Sequence, residues 1–424
     1  MKKPRTLVLS NNCFSVSNSN GRTLGNLFYG WPKEMLAQMC VIAQDPNWDL
    51  CDNYYCIGDR AVLSAFLHFQ KAKGVKLQMR DKAADQSLQS GRAAMGKKTL
   101  FKVLLRELVW SKRRWNSKSF INWVDSFNPE VIVLQLGDCC FMLDMALQLS
   151  KSRNIPLIIY NTEGYYFFDR NWHHVTAFDK VAFPYYRNKY RRKMEKVLTR
   201  AFHSVYLNDK LKEDYDEQFH KPSTVIYNSS NLAPSSKPLF EGLVPKFAYL
   251  GNLGLDRDSA LVEVGEVLQD MDSEFFIDIY GGASEEVEKR LKNSRGVRFH
   301  GSVSYDEVKR VIAETDVLFH VETEKGYKER QLQYAFSTKI ADSIASGRCF
   351  LVYAPKELAC SKYIVTNKCG WVASNKEELK EQLQSIINNG EERRQIINQA
   401  GLVAASNHNF DNNARKFHCI LSSI

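Results

Sequence analysis

Short apolar runs rich in valine, isoleucine and leucine alternate along the whole chain with longer stretches whose apolar positions recur at helical spacing. The short runs read as buried strands, and the longer ones as amphipathic helices. In the first half strands are expected at residues 6–9, 54–57, 131–136, 157–160 and 204–207, each ending in a polar or glycine-containing turn. Helices such as 141–151 and 186–200 lie between them, long enough to cross between parallel strands. The pattern is α/β.

Residues 228–245, NSSNLAPSSKPLFEGLVP, break this alternation with proline and serine, so a domain boundary belongs there. The division expected is 1–235 and 236–424, with a last helix able to pack back on the first domain. Beyond the linker the alternation resumes, with strands at 247–250, 275–280, 297–300, 317–321, 349–353 and 370–372 and closing helices at 376–389 and 411–421. This second pattern is another parallel sheet with helices on its faces.

Composition narrows the class. The chain has 424 residues, 44% hydrophobic and 25% charged, as in a folded protein of two or three domains. Its charge of +10 is unevenly spread: residues 1–200 hold 31 basic and 16 acidic side chains, whereas the rest is slightly acidic. A basic half is suited to an anionic partner. Ten cysteines show no disulfide framework, which favours reduced thiols in a cytoplasm. The N-terminal apolar run TLVL is too short for a secretory signal, and no stretch is apolar enough to span a bilayer. No recognised nucleic-acid motif accompanies the basic half.

Two turns carry candidate chemistry. GNLGLDR, residues 251–257, follows a strand and opens a helix. Gly251 would let the backbone approach an anion, while the helix N-terminus and Arg257 favour negative charge there. The alternative is a tight turn bearing a surface arginine. FSTKIADSIASG, residues 336–347, is the second. Ser337 and Thr338 can cap a helix and offer amides to a diphosphate, Lys339 adds a charge, and Asp342 one turn later can accept from ribose hydroxyls. Its alternative is an ordinary capped helix with solvated charges. Asp256 and Asp258 form a D-x-D at a helix start, where acids complement the helix dipole. His173-His174 and Cys139-Cys140 lack metal or nucleophile spacing and read as structural.

Residues 97–118, KKTLFKVLLRELVWSKRRWNSK, contain eight basic residues and one acid, Glu107. Phe101, Leu104, Leu105 and Leu108 share a face if the segment is helical, with Trp110 and Trp115 near the basic end. Such a helix can lie on an anionic membrane or pack on its own sheet.

From residue 246 to 421, the segments AYLGNLGLDRDSAL, FFIDIYGGASEE, VRFHGSVSYDEV, TDVLFHVE, FSTKIADSIASGRCFLVY and KCGWVASNKEEL resemble, in order, the retaining glycosyltransferases of the GT-B fold, specifically glycosyltransferase family 4. The resemblance implies two doubly wound Rossmann-like domains facing across a cleft, the first on the acceptor side and the second binding a nucleotide-sugar donor. The family's first turn reads G-R-L-x-x-x-K with both basic residues on the donor phosphates; here Asn252 replaces the arginine and Arg257 stands at the lysine position. Asp342 matches the second glutamate of the E-x(7)-E motif, a ribose ligand, while Tyr334 stands at the first. Lys339 matches the lysine of the P-S-K-[IL] variant in some bacterial surface-polysaccharide transferases.

After the strand at 157–160, relatives carry a histidine-glycine pair whose histidine contacts the donor sugar; Glu163-Gly164 occupies that place. Glu163 is the residue expected there, against the alternative of a loop carboxylate. The polar stretch 10–25, with Asn20 and Gly21, corresponds to a glycine-containing loop near the diphosphate and acceptor, or to a disordered surface loop. The implied activity is retaining hexosyl transfer from a nucleotide-diphosphate sugar to a hydroxyl, without a bound metal, in assembly of a bacterial capsule, O-antigen or exopolysaccharide. A lipid-linked glycan acceptor and the inner face of the cytoplasmic membrane are the expected surroundings. A nucleotide-sugar epimerase of the same fold and a non-catalytic binding module are the alternatives.

Overall fold

The computed structural model describes residues 3–79, 99–168, 177–242, 244–323 and 332–424. Its contacts divide the chain into two units, Met1–Tyr227 with Asn413–Ile424, and Asn228–Asn412. The expected boundary at 235/236 is corrected to 227/228, because the linker's first residues are bound to the second unit. The ring of His408 hydrogen-bonds the Asn228 carbonyl at 2.7 Å, and Ser230 Oγ donates to Asp342 Oδ1 at 2.6 Å.

The first unit is an eight-stranded sheet in the order β4-β3-β2-β1-β5-β6-β7-β8. Its strands are β1 (Thr6–Asn12), β2 (Leu36–Ile42), β3 (Tyr54–Cys56), β4 (Val75–Lys76), β5 (Val131–Gln135), β6 (Leu157–Asn161), β7 (His203–Tyr206) and β8 (Ser223–Val225). All neighbours pair parallel except β3 with β4. Strand β2 escapes the sequence pattern because LAQMCVI carries Gln38 in its middle. That side chain is buried, and it is satisfied by donating to Ser10 Oγ at 2.8 Å and accepting from the Phe14 amide at 2.7 Å. The helix Phe410–Ser422 ends in this unit, where Phe417 and Leu421 join the core of Val8, Phe14, Phe28 and Val133.

Two expectations are corrected here. Residues 10–25 are not a disordered loop: they hold the end of β1 and the helix Ser19–Asn26. Asn18 caps that helix by accepting from the amides of Asn20 and Gly21 at 3.0 and 3.2 Å. A Cβ at Gly21 would collide with the Cys13 carbonyl oxygen, so only glycine lets the helix seat here. Nor is the described part of 97–118 one helix. It breaks into Leu100–Val109 and Lys112–Trp115 with Lys118 opening a third helix, Lys118–Phe127, because Ser111 and Ser117 take extended N-cap conformations. Trp110 and Trp115 are buried, not poised at a surface.

The second unit is a six-stranded, wholly parallel sheet in the order β11-β10-β9-β12-β13-β14. Its strands are β9 (Phe247–Leu250), β10 (Ile277–Tyr280), β11 (Val297–Gly301), β12 (Val317–Val321), β13 (Cys349–Tyr353) and β14 (Trp371–Ala373). Strand order reverses between β9 and β12, and ligands in such sheets bind at the carboxyl ends of strands beside that point. The C-terminal part has a helix beyond the two expected, Gly390–Asn407, whose mixed composition hides its apolar positions. His173 and His174 lie outside the described residues.

Candidate functional site

The second unit gathers its candidate residues at the carboxyl edge of its sheet. The turns after β9, β10 and β11 are laced together: the Gly251 amide donates to the Tyr280 carbonyl at 2.9 Å, and the Gly281 amide to the Gly301 carbonyl at 2.8 Å. Any side chain at Gly281 would strike the Gly251 carbonyl. Beside them opens a cavity of about 290 Å³ lined by Gly281, Gly282, Lys292, His300 and Ser302. The His300 ring stacks on Tyr280 at 4.6 Å and shares a 2.6 Å hydrogen bond with Asp278.

After β9 the chain turns sharply. Leu255 and Asp256 both take positive φ, an uncommon conformation for such residues and one that gathers at ligand sites. Asn252 Oδ1 accepts from the Gly254 amide at 2.7 Å, shaping the turn locally. The helix Arg257–Met271 then starts without a side-chain cap hydrogen bond from Asp256, so its N-terminal amides suit an anion. Asp258 is buried and ion-paired with Arg290, which gives the second acid of the D-x-D a structural duty.

Arg257 is not the free surface cation of the simplest reading. Its Nε and Nη2 donate to the two oxygens of Glu322 at 3.0 and 2.7 Å, and Nη1 lies 3.5 Å from the Gly254 carbonyl. Glu322, immediately after β12, is fully buried in its side chain. Burial tends to raise its carboxyl, but His320 and Arg257 outweigh that and hold it below the usual carboxylate range. The ion pair therefore ties the start of the helix after β9 to the end of β12 at the reversal of strand order, and Thr323 Oγ1 adds a 3.1 Å bond to the Leu255 carbonyl.

The second predicted turn opens the helix Thr338–Ala345, which crosses from β12 to β13 and so begins at the same carboxyl edge. Ser337 caps it, accepting from the Lys339 amide at 3.3 Å, and Lys339 is half-buried in the first turn. Asp342 is buried with one oxygen on Ser230, so a ribose there would share or exchange that contact. Tyr334 is buried as well.

In the first unit Glu163 follows β6 in a turn, half-buried, its amide donating to Asn161 Oδ1 at 3.2 Å. The reversal of strand order here lies between β1 and β5, and Arg106 organises it. Its Nε bonds Asp59 at 2.8 Å, Nη1 contacts Cys139 Sγ at 2.9 Å and Nη2 reaches Asn11 at 3.4 Å. Sequence reasoning missed Arg106 and Glu322. Arg106 looks like any cation of a basic helix, whereas an acid ending the apolar run VLFHVE was a usable signal for Glu322. Among the described residues no group of three histidine, cysteine or acidic side chains is placed to hold a metal.

Residues 266–418 match the family model described as glycosyl transferase-like. No curated protein matches the chain by sequence. Among solved structures, HepE of Anabaena in complex with UDP superposes with a TM-score of 0.64 at 11% identity, covering 99% of this chain and 100% of that one. The chain has the GT-B glycosyltransferase fold. Sucrose-phosphate synthase of Thermosynechococcus elongatus shares this GT-B fold at TM-score 0.63 and 11% identity, over 99% and 98% of the chains. So does the lipopolysaccharide outer core galactosyltransferase WaaB in its apo form, at 0.58 and 12%, over 99% and 100%.

Proposed function

We propose that the chain is a glycosyltransferase that moves a hexosyl group from a nucleotide-diphosphate sugar to a hydroxyl acceptor, with retention of configuration, in assembly of a surface polysaccharide. What carries this reading is that the helix entrances at Arg257 and at Ser337–Lys339, and a cavity lined by Gly281 and Gly282, all follow strands of the second sheet at its carboxyl edge. Negative charge grows on the diphosphate as the glycosidic bond breaks, and preorganised cations and amides stabilise that change without reorganising. In this reading Arg257 and Lys339, with the turn Gly251–Asn252 and the amides of Ser337 and Thr338, hold the diphosphate, Asp342 takes the ribose, and the cavity by His300 takes the base.

The likeness to HepE, solved with UDP and with UDP-glucose, and to WaaB, a galactosyltransferase, supports a hexose donor and a polysaccharide role. Nine of the ten cysteines are buried and all ten are free, in keeping with a reducing cytoplasm. No helix among the described residues is long and apolar enough to cross a membrane. A lipid-linked glycan is the acceptor proposed, with Glu163 orienting its hydroxyl or the donor sugar and Asn20–Gly21 supporting the acceptor side. No metal is required by this scheme, since the cations and helix amides answer the diphosphate.

The test is nucleoside diphosphate release from a panel of nucleotide sugars, with and without hydroxyl acceptors. Lys339→Ala should weaken nucleoside diphosphate binding by about tenfold or more, the usual scale of a charge-assisted contact. Glu163→Gln should lower turnover and leave that affinity unchanged. Sugar interconversion without acceptor would mark an epimerase instead, and binding without turnover a binding module.

A further inference from the structure

Two neighbouring helices of the first unit turn large apolar side chains to solvent. Leu100–Val109 presents Phe101, Leu105 and Leu108, and the start of Ala177–Arg200 presents Phe178, Val181 and Tyr185, all between 44% and 80% exposed. The spacings i, i+4, i+7 and i, i+3, i+7 put each trio on one face of its helix. The helices pack together, and the rings of Phe101 and Phe178 lie 6.3 Å apart, so the two stripes form one surface. Single exposed apolar residues are ordinary; six on adjoining helices mark a surface that meets something.

Charge says what that is. Residues 99–115 and 177–185 carry six basic side chains and only two acids, Glu107 and Asp179. Both acids are buried, at 9% and 2% exposure, whereas Lys112, Arg113 and Lys180 are exposed. The elements that carry the apolar stripes, and the short helix that follows the first, therefore expose cations and turn their acids inward, complementary to an apolar layer beneath anionic headgroups. We propose that this two-helix face docks on an anionic lipid bilayer, seating the six apolar side chains at the headgroup boundary. The inference does not rest on the donor site.

The experiment is co-sedimentation of the full chain with vesicles of phosphatidylglycerol and phosphatidylcholine, against phosphatidylcholine alone. Binding is expected on the anionic vesicles, at least about tenfold stronger than on neutral ones, and weakening in ~0.5 M salt, where the Debye length falls toward 3 Å. The exposed-site double variant Leu105→Glu with Val181→Glu should lose at least about tenfold in binding with an unchanged melting temperature. Should it fail to fold, Lys112→Glu with Arg113→Glu carries the test and should lose binding to the anionic vesicles. Absence of binding, equal binding to neutral vesicles, or wild-type binding by the folded variants would overturn the proposal. So would a dimer that the apolar variant dissolves, or displacement from vesicles by single-stranded DNA.

Discussion

Arg257 meets two demands at the helix entrance after β9, as a buried partner of Glu322 and as a proposed partner of a diphosphate. Removing one member of a buried ion pair leaves the other charged and unpaired, which costs ~3–5 kcal/mol. Arg257→Ala alone would thus confuse loss of folding with loss of binding. Replacing both partners with apolar groups of similar volume is often nearly neutral, so Arg257→Met with Glu322→Leu should recover most of the stability lost by Arg257→Ala. If the arginine also serves the diphosphate, the double variant stays at least about tenfold weaker in nucleoside diphosphate binding. Calorimetric affinity and melting temperature on one preparation decide this. Affinity returning together with stability would make the pair purely structural.

Helix ends show how elements are joined and how much of that was legible. The caps at Ser337, Ser304 and Asn375 lie in sequence before their helices and can be read there. The helix Cys140–Arg153 has no side-chain cap from Cys139; Glu107, 33 residues earlier, accepts the Cys140 amide at 2.8 Å. No local rule finds such a cap, since it depends on two helices meeting. Burial pushes the Glu107 carboxyl up to about 7, against the opposing pull of that amide and of Lys193 and Lys189. The native state holds this proton to higher pH than the unfolded chain, whose glutamate titrates near ~4.3. The resulting stabilisation is complete below that value and is lost as pH rises through about 7. Glu107→Gln keeps an acceptor for the Cys140 amide but cannot ionise. Wild type should therefore lose stability relative to this variant between pH 5 and 8, by ~1–3 kcal/mol in urea titrations. A difference independent of pH would contradict the assignment.

At the scale of the whole chain, the alternation of strands and helices made the α/β architecture legible, because parallel strands buried on both faces must be continuously apolar. What stayed hidden was non-local. Strand β2 was masked by Gln38, whose partners Ser10 and Phe14 lie on another segment, and the return of the last helix to the first core depends on Phe417 and Leu421 finding partners some 390 residues away. The turns at 251–257 and 336–339 were legible as motifs, but the Glu322 clamp on Arg257 was not, since it joins the helix entrance after β9 to the end of β12 across the reversal of strand order. In the proposed function the second unit binds the nucleoside diphosphate at that edge. Hydrogen exchange of the full chain with and without UDP, the ligand of the HepE structure, tests it most directly. Slowed exchange is expected at residues 251–257, 281–283, 300–302 and 337–342. Protection confined to the first unit, with UDP bound and these turns unchanged, would contradict it.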